Sequence, residues 1–308
     1  MDSLRRMVKT VFRQDYRIYI CLALALVCVS CSGKSAEQSA PSRIPQRIVS
    51  ISPNVTEILY GVGAWSQVVA VSQFCSFPDD VKNKPRVSGW DNTNLEQLTG
   101  LKPDLVIGID AQAPFVKDKL DALGTRSLFL DGQTLSDVYA SIEEIGRATG
   151  HAQQAAELLT ETQHELEAVR NSIAGRQKVR VLCVVDRIPG TIRELYTATN
   201  GTFLAELIAI AGGESIAPAG DQRWGQITKE AIVSLNPEVI IDMIQDSKGN
   251  FGEDPVAVWR ELPEVSAVQK QRIYPVRDAL VIHPSQFVGH TAEVFARMIH
   301  PEAFRDGP

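Results

Sequence analysis

Residues 90–107 read WDNTNLEQLTGLKPDLVI, and residues 224–241 read WGQITKEAIVSLNPEVII. Both fit Trp-x5-Glu-x4-Leu-x-Pro-[Asp/Glu] followed by three aliphatic residues. Five of the eighteen columns are identical: Trp90/Trp224, Glu96/Glu230, Leu101/Leu235, Pro103/Pro237 and Ile107/Ile241. Unrelated segments would share roughly one, so the match is an internal repeat and the chain is a pair of similar lobes. Within each copy, Asn94 and Thr228 are good helix N-caps. Glu96 and Glu230 then fall in the first helical turn, where the helix dipole favours a carboxylate. Pro103 and Pro237 stop those helices, and the aliphatic triplets enter a sheet. The tryptophans are expected in loops after the second strand of each lobe.

Outward from the repeat, aliphatic runs alternate with helical patterns. Strands are expected at 47–52, 68–72, 105–109, 127–130, 179–185, 239–243 and 273–276, with helices at 55–60, near 114–123, and at 202–211 and 286–299. That alternation implies parallel sheets covered by helices. From Leu135 to Ala174 the pattern is helical, interrupted only around Gly146–Gly150. Its second part, from His151, would run on the order of 35 Å, enough to pass from one lobe to the other. The organisation expected is a signal segment at 1–31, a tether at 32–46, an N-terminal lobe at 47–134, a linking helix region at 135–175 and a C-terminal lobe at 176–304.

The chain of 308 residues is 44% hydrophobic with a net charge of −6, ample for proper cores and without a basic stripe for nucleic acid. Arg5, Arg6, Lys9, Arg13 and Arg17 precede an apolar run from Ile18 to Val29, too short for a comfortable membrane span. The run ends at Cys28-Val-Ser-Cys31-Ser32, which resembles a bacterial lipoprotein cleavage site with Cys31 as the lipidated residue; an ordinary cleaved signal or a short anchor helix is the alternative. The polar, Pro/Ser-rich stretch after it reads as a tether. Export leaves Cys75 and Cys183 in different lobes, expected as two free thiols.

Two matched indoles leaving sheets of facing lobes suit a large flat ligand, because ligands of open α/β sheets bind beyond the carboxyl ends of strands. The alternative is that each plugs its own lobe. Glu96 and Glu230 are either helix-start carboxylates or matched anions for a two-fold partner bearing arginines. Phe74 and Phe77 flank Cys75 after a strand and would rim the same cleft. His283, in the loop Ile-His-Pro-Ser before the last helix, is either solvated or placed to touch a ligand or a haem iron. Arg187, Arg223 and Arg277 fall near strand ends and would suit an anionic ligand or amide carbonyls. Cys75 has no evident base to make it a nucleophile. No G-x-S-x-G, H-E-x-x-H or Walker loop is present, so the chain reads as a binding protein, not an enzyme, with no cofactor and no metal site of its own.

The segments RIVSISPNVTEILYGVGA, VSGWDNTNLEQLTGLKPDLVIG, YTATNGTFLAELIAIAGGESI and WGQITKEAIVSLNPEVII resemble the class III periplasmic substrate-binding proteins of ABC importers, most of all the cobalamin-binding branch. The resemblance runs from about Arg47 to Ala303. It implies two Rossmann-like lobes with parallel sheets joined by a single long α-helix, and a corrinoid held between them by Trp90, Trp224 and either Phe74 or Phe77. It implies docking of Glu96 and Glu230 onto arginines of an ABC permease dimer. It also implies export to the periplasm or cell surface, with the membrane reached through a lipid on Cys31. Related members of the class carry ferric siderophores or haem. Cleft arginines such as Arg223 would suit the first, and His283 would suit the second.

Overall fold

The computed structural model describes residues 43–217, 224–243 and 254–304. From Ile44 onward the described chain packs as one unit built on two sheets. The first holds β1 (Ile48–Ser50), β2 (Val68–Ser72), β3 (Arg86–Ser88), β4 (Leu105–Ile109) and β5 (Ser127–Leu130) in the order β3-β2-β1-β4-β5. Every pairing in it is parallel. Its helices are α1 (Pro53–Gly61), α2 (Leu95–Gly100) and α3 (Ala113–Ala122). Proline opens α1 at its first position, where no backbone N–H is needed.

The linking region is two helices, broken where the sequence places its interruption around Gly146–Gly150, and the second is the long one. α4 (Leu135–Thr149) is closed by Gly150 at φ +83, a left-handed conformation that glycine adopts without penalty. α5 (Ala152–Ser172) follows; its 21 residues span about 32 Å. Thr134 caps α4 through a reciprocal box with Asp137.

The second sheet departs from the parallel pattern. It holds β6 (Val179–Asp186), β7 (Leu195–Ala198), β8 (Gly213–Ser215), β9 (Trp224–Ile227), β10 (Val239–Asp242) and β11 (Ile273–Pro275). The order is β11-β10-β6-β7-β9, with β8 also on β6. β6, β8, β10 and β11 are parallel, whereas β7 runs antiparallel to both β6 and β9. A hairpin turn after β6, not a crossover helix, sends β7 back alongside it, which fixes the antiparallel sense. The remaining helices are α6 (Phe203–Ile210), α7 (Lys229–Leu235), the one-turn α8 (Ser266–Gln269) and α9 (Val288–Ile299).

One buried apolar cluster runs through both lobes. It takes Ile48 and Ile107 from the first sheet, Ile142 and Leu166 from the linking helices, and Val181 and Phe295 from the second lobe. Separate clusters cover the outer faces of the two sheets, one around Leu98 and Val106, the other around Ile240 and Trp259. Sliding the lobes apart would open the shared cluster to water at about 25 cal/mol per Å2 of apolar surface, so the fold resists wide opening. No helix among the described residues is long and apolar enough to cross a membrane.

Candidate functional site

Trp90 follows the third strand of its lobe, not the second, and occupies the tip of a tight turn. Gly89 N donates to Asn92 O at 2.8 Å and Asn94 N to Val87 O at 2.8 Å, so the chain folds back and presents the indole, 53% exposed. A Cβ at Gly89 would lie 2.5 Å from Asn92 Oδ1, so a side chain there would displace the Asn92 amide that accepts from Gly89 N. Trp224 is not in a loop at all. It is the first residue of β9, opposite Ala198, and is 43% exposed. Tyr196 pairs with Gln226, which lies two residues from Trp224. Tyr196 and Trp224 therefore share one face of the sheet as diagonal neighbours, within reach of long side chains. Tyr196 is 39% exposed and gave no signal in the sequence, because β7 is only four residues long.

The two glutamates sit in equivalent places. Asn94 accepts from Gln97 N at 3.0 Å and Thr228 accepts from Ala231 N at 3.3 Å, which makes Glu96 and Glu230 the second residues of α2 and α7. Both are exposed. The Glu230 carboxyl is held below its ordinary value by its own backbone N–H and by the Thr228 side chain, so it stands ready as an anion.

The aromatic loop after β2 divides its two phenylalanines. Arg86 pins the loop by donating to Ser72 O at 2.9 Å, Cys75 O at 2.7 Å and Val81 O at 3.2 Å. Phe74 stays 45% exposed. Phe77 is half-buried edge-to-face between Tyr60 and Phe287, each ring 5.1 Å away, and so joins the N-terminal lobe to the start of α9. Cys75 is buried, with its sulfur 3.1 Å from Thr56 Oγ1, and burial pushes the thiol up to about 11. Cys183 is buried in β6 and its thiol is pushed up likewise. Both are free and held as unreactive thiols.

Arg187 is not available to a ligand. It is buried, with Nε 3.1 Å from Asp242 Oδ2 and Nη1 donating to Thr191 O at 2.8 Å; Trp259 Nε1 donates to the same Asp242 oxygen at 2.9 Å. Burial outweighs the guanidinium and holds the Asp242 carboxyl above its ordinary value. Arg223 and Cys31 lie outside the described residues.

His283 is drawn into a contact the sequence did not signal. Its Nδ1 lies 2.6 Å from Oε1 of Glu57 on α1; Ser285 Oγ donates to Oε2 at 2.6 Å, and Gln286 Nε2 to Glu57 O at 2.9 Å. Glu57 is only 2% exposed. Nearby, Phe203 N donates to Gln133 O and Leu135 N to Glu206, so polar bonds as well as the shared core bind the lobes. Separately, a cavity of about 460 Å3 lies between α5 and α9, lined by Glu165, Gly289, His290, Glu293 and Phe304, and touches none of the residues above.

Residues 48–280 match the model of the periplasmic binding protein family, and the chain belongs to that family. Its members are binding proteins that carry a transported ligand, with no cofactor of their own, and those of ABC transporters deliver it to a permease. Among curated proteins, an ABC transporter substrate-binding lipoprotein of Bacillus subtilis is 32% identical over 269 residues, 85% of this chain and 82% of its own length. A vitamin B12-binding protein of Pectobacterium carotovorum is 29% identical over 206 residues, 66% of this chain and 73% of that one. Among solved structures, the periplasmic vitamin B12-binding protein of Vibrio cholerae aligns with a TM-score of 0.70 at 23% identity, covering 85% of this chain and 99% of that one. A periplasmic heme-binding protein of Roseiflexus aligns with 0.73, also at 23%, covering 84% and 99%. At that identity these two structures speak for the fold.

Proposed function

We propose that this chain captures a corrinoid of the cobalamin type between its lobes and hands it to an ABC permease. The observation that carries the reading is the pair of indoles at matched positions of the repeat, both left about half open to solvent although they are among the largest apolar side chains of the chain. Phe74 and Tyr196 extend the apolar surface on either lobe. A corrin is broad, flat and apolar on its faces, and stacking on exposed rings removes both from water. Two of the curated relatives' names, for proteins of Pectobacterium and Yersinia, are those of vitamin B12-binding proteins. Phe77 supports the cleft from its interlobe stack, and Arg223 and His283 complete the candidate ligand set.

Glu96 and Glu230 are the docking pair. Matched anions on matched helix starts suit a symmetric permease dimer that offers arginines to both lobes. Cys31 carries the lipid that keeps the protein at the membrane outside the cytoplasm. Haem is the second reading, favoured by the imidazole of His283. Calorimetric titration of the full chain in detergent with cyanocobalamin tests the proposal: a dissociation constant in the micromolar range or tighter is expected. No heat with cyanocobalamin, alongside binding of haem or a ferric siderophore, overturns it.

A further inference from the structure

The strangest feature of the lobe junction is a carboxylate where an apolar residue would serve. Burying an ionised carboxylate costs several kcal/mol before its partners repay it, and a well-packed hydrophobic replacement is often as stable. The lobes already share an apolar core and the Phe77–Phe287 stack. What Glu57 adds is control of one imidazole. Its Oε2 accepts from Ser285 Oγ and its Oε1 faces His283 Nδ1, both at 2.6 Å. A carboxylate has no proton to give, so the bond runs from Nδ1–H to Oε1. In the neutral ring the lone pair is then on Nε2. Among the described residues Nε2 has no hydrogen-bond partner, and the ring keeps 17% of its side-chain surface exposed. A buried carboxylate on one ring nitrogen, fixing tautomer and orientation, is how proteins prepare the other nitrogen as a metal ligand.

Position agrees with chemistry. The next residue, Pro284, lies against Gly132, which would bring a Cβ to 3.0 Å from it. Gly132 follows the carboxyl end of β5, and the Trp90 turn follows the carboxyl end of β3 in the same all-parallel sheet. His283 and Trp90 therefore stand at the same end of that sheet.

We infer that His283 Nε2 is an axial ligand to the metal of the cargo, and that Glu57 is the residue that positions it. This rests on the reading above and narrows it. One imidazole supplies one bond, so it suits a metal whose equatorial positions a planar macrocycle already fills and whose axial position holds exchangeable water. The exchange is balanced: the Nε2 lone pair forms the metal–nitrogen bond, the metal–oxygen bond breaks, and water leaves with its own electron pair. The metal keeps its oxidation state and no proton moves. Aquacobalamin and ferric haem share this chemistry; cyanocobalamin, its upper face closed by cyanide, does not.

The full chain in detergent is titrated with all three, followed by visible absorption. The wild-type protein is expected to favour aquacobalamin over cyanocobalamin by about tenfold or more, with bands shifted to those of an imidazole adduct. His283→Ala should abolish the shift and bring the ratio towards one. Glu57→Gln should weaken the shift while the thermal melt stays cooperative, a spectroscopic effect that a purely structural role would not produce; if that variant does not fold, His283→Ala alone decides. Equal affinity for both corrinoids without a shift overturns the ligation and leaves the corrinoid reading standing. Binding of haem alone, with an imidazole-type spectrum lost in His283→Ala, supports the ligation and removes the corrinoid as cargo. Binding of none of the three overturns both.

Discussion

Replacing the indoles separates a ligand platform from a core plug. With about 250 Å2 for a whole tryptophan, 53% exposure leaves about 130 Å2 of Trp90 open and 43% leaves about 110 Å2 of Trp224. Full cover at about 25 cal/mol per Å2 would contribute about 3 kcal/mol for each. A flat ligand covers one face of a ring, so about 1.5 kcal/mol is the working figure, roughly tenfold in Kd. Trp90→Ala and Trp224→Ala should each weaken cyanocobalamin binding by about that factor in calorimetry, and the double variant by roughly a hundredfold if the two add. The buried halves, about 120 Å2 of Trp90 and about 140 Å2 of Trp224, stabilise the fold by at most about 3 kcal/mol each at the same coefficient, so both variants should lose some stability and still unfold cooperatively. A Kd within twofold of wild type in both variants, with stability alone reduced, would refute the argument: the rings would then only be holding their lobes together.

Glu96→Ala combined with Glu230→Ala should leave ligand affinity intact in calorimetry and lower cellular uptake severalfold; normal uptake would return both residues to a role in starting α2 and α7. Arg187→Met leaves Asp242 buried without its partner, and urea titration should show a loss of about 3–5 kcal/mol. Asp242 also predicts a pH trend. The folded chain holds its proton more tightly than the unfolded chain, chiefly through burial, so this group's contribution to stability is present below about pH 4 and is lost as pH rises through its raised folded value. The unfolding free energy of wild type minus that of Asp242→Asn should therefore fall between pH 4 and 7; a rise would mean that the guanidinium outweighs burial.

What could be read from the sequence, and what could not, divides by the range of the interactions involved. Caps are local: Asn94, Thr134 and Thr228 bond to N–H groups three residues on, and each helix begins where its cap demands. The long aliphatic strands are equally legible, since β2, β4 and β5 coincide with the runs at 68–72, 105–109 and 127–130. β3, β7 and β8 are three or four residues long, too short to show a period of two, and β7 and β9 are fixed by pairing across the sheet. That is why the local sequence reads as a loop at Trp224 and leaves Tyr196 unmarked.

Glu57 is the sharper case. On α1 it looks like any polar residue of an amphipathic helix, and its partners lie 226 and 228 positions further on. Its burial in the absence of charge compensation within its own helix is visible only once the two lobes are assembled. The same distance explains the functional weight placed on it. A contact that exists only in the assembled pair of lobes reports on their relative placement, and here it is made through an imidazole whose neighbour Pro284 lies against Gly132, beyond the carboxyl end of β5. Loss of the Glu57–His283 bond would therefore disturb ligand geometry and lobe geometry together, whereas loss of Trp90 or Trp224 would disturb only the former.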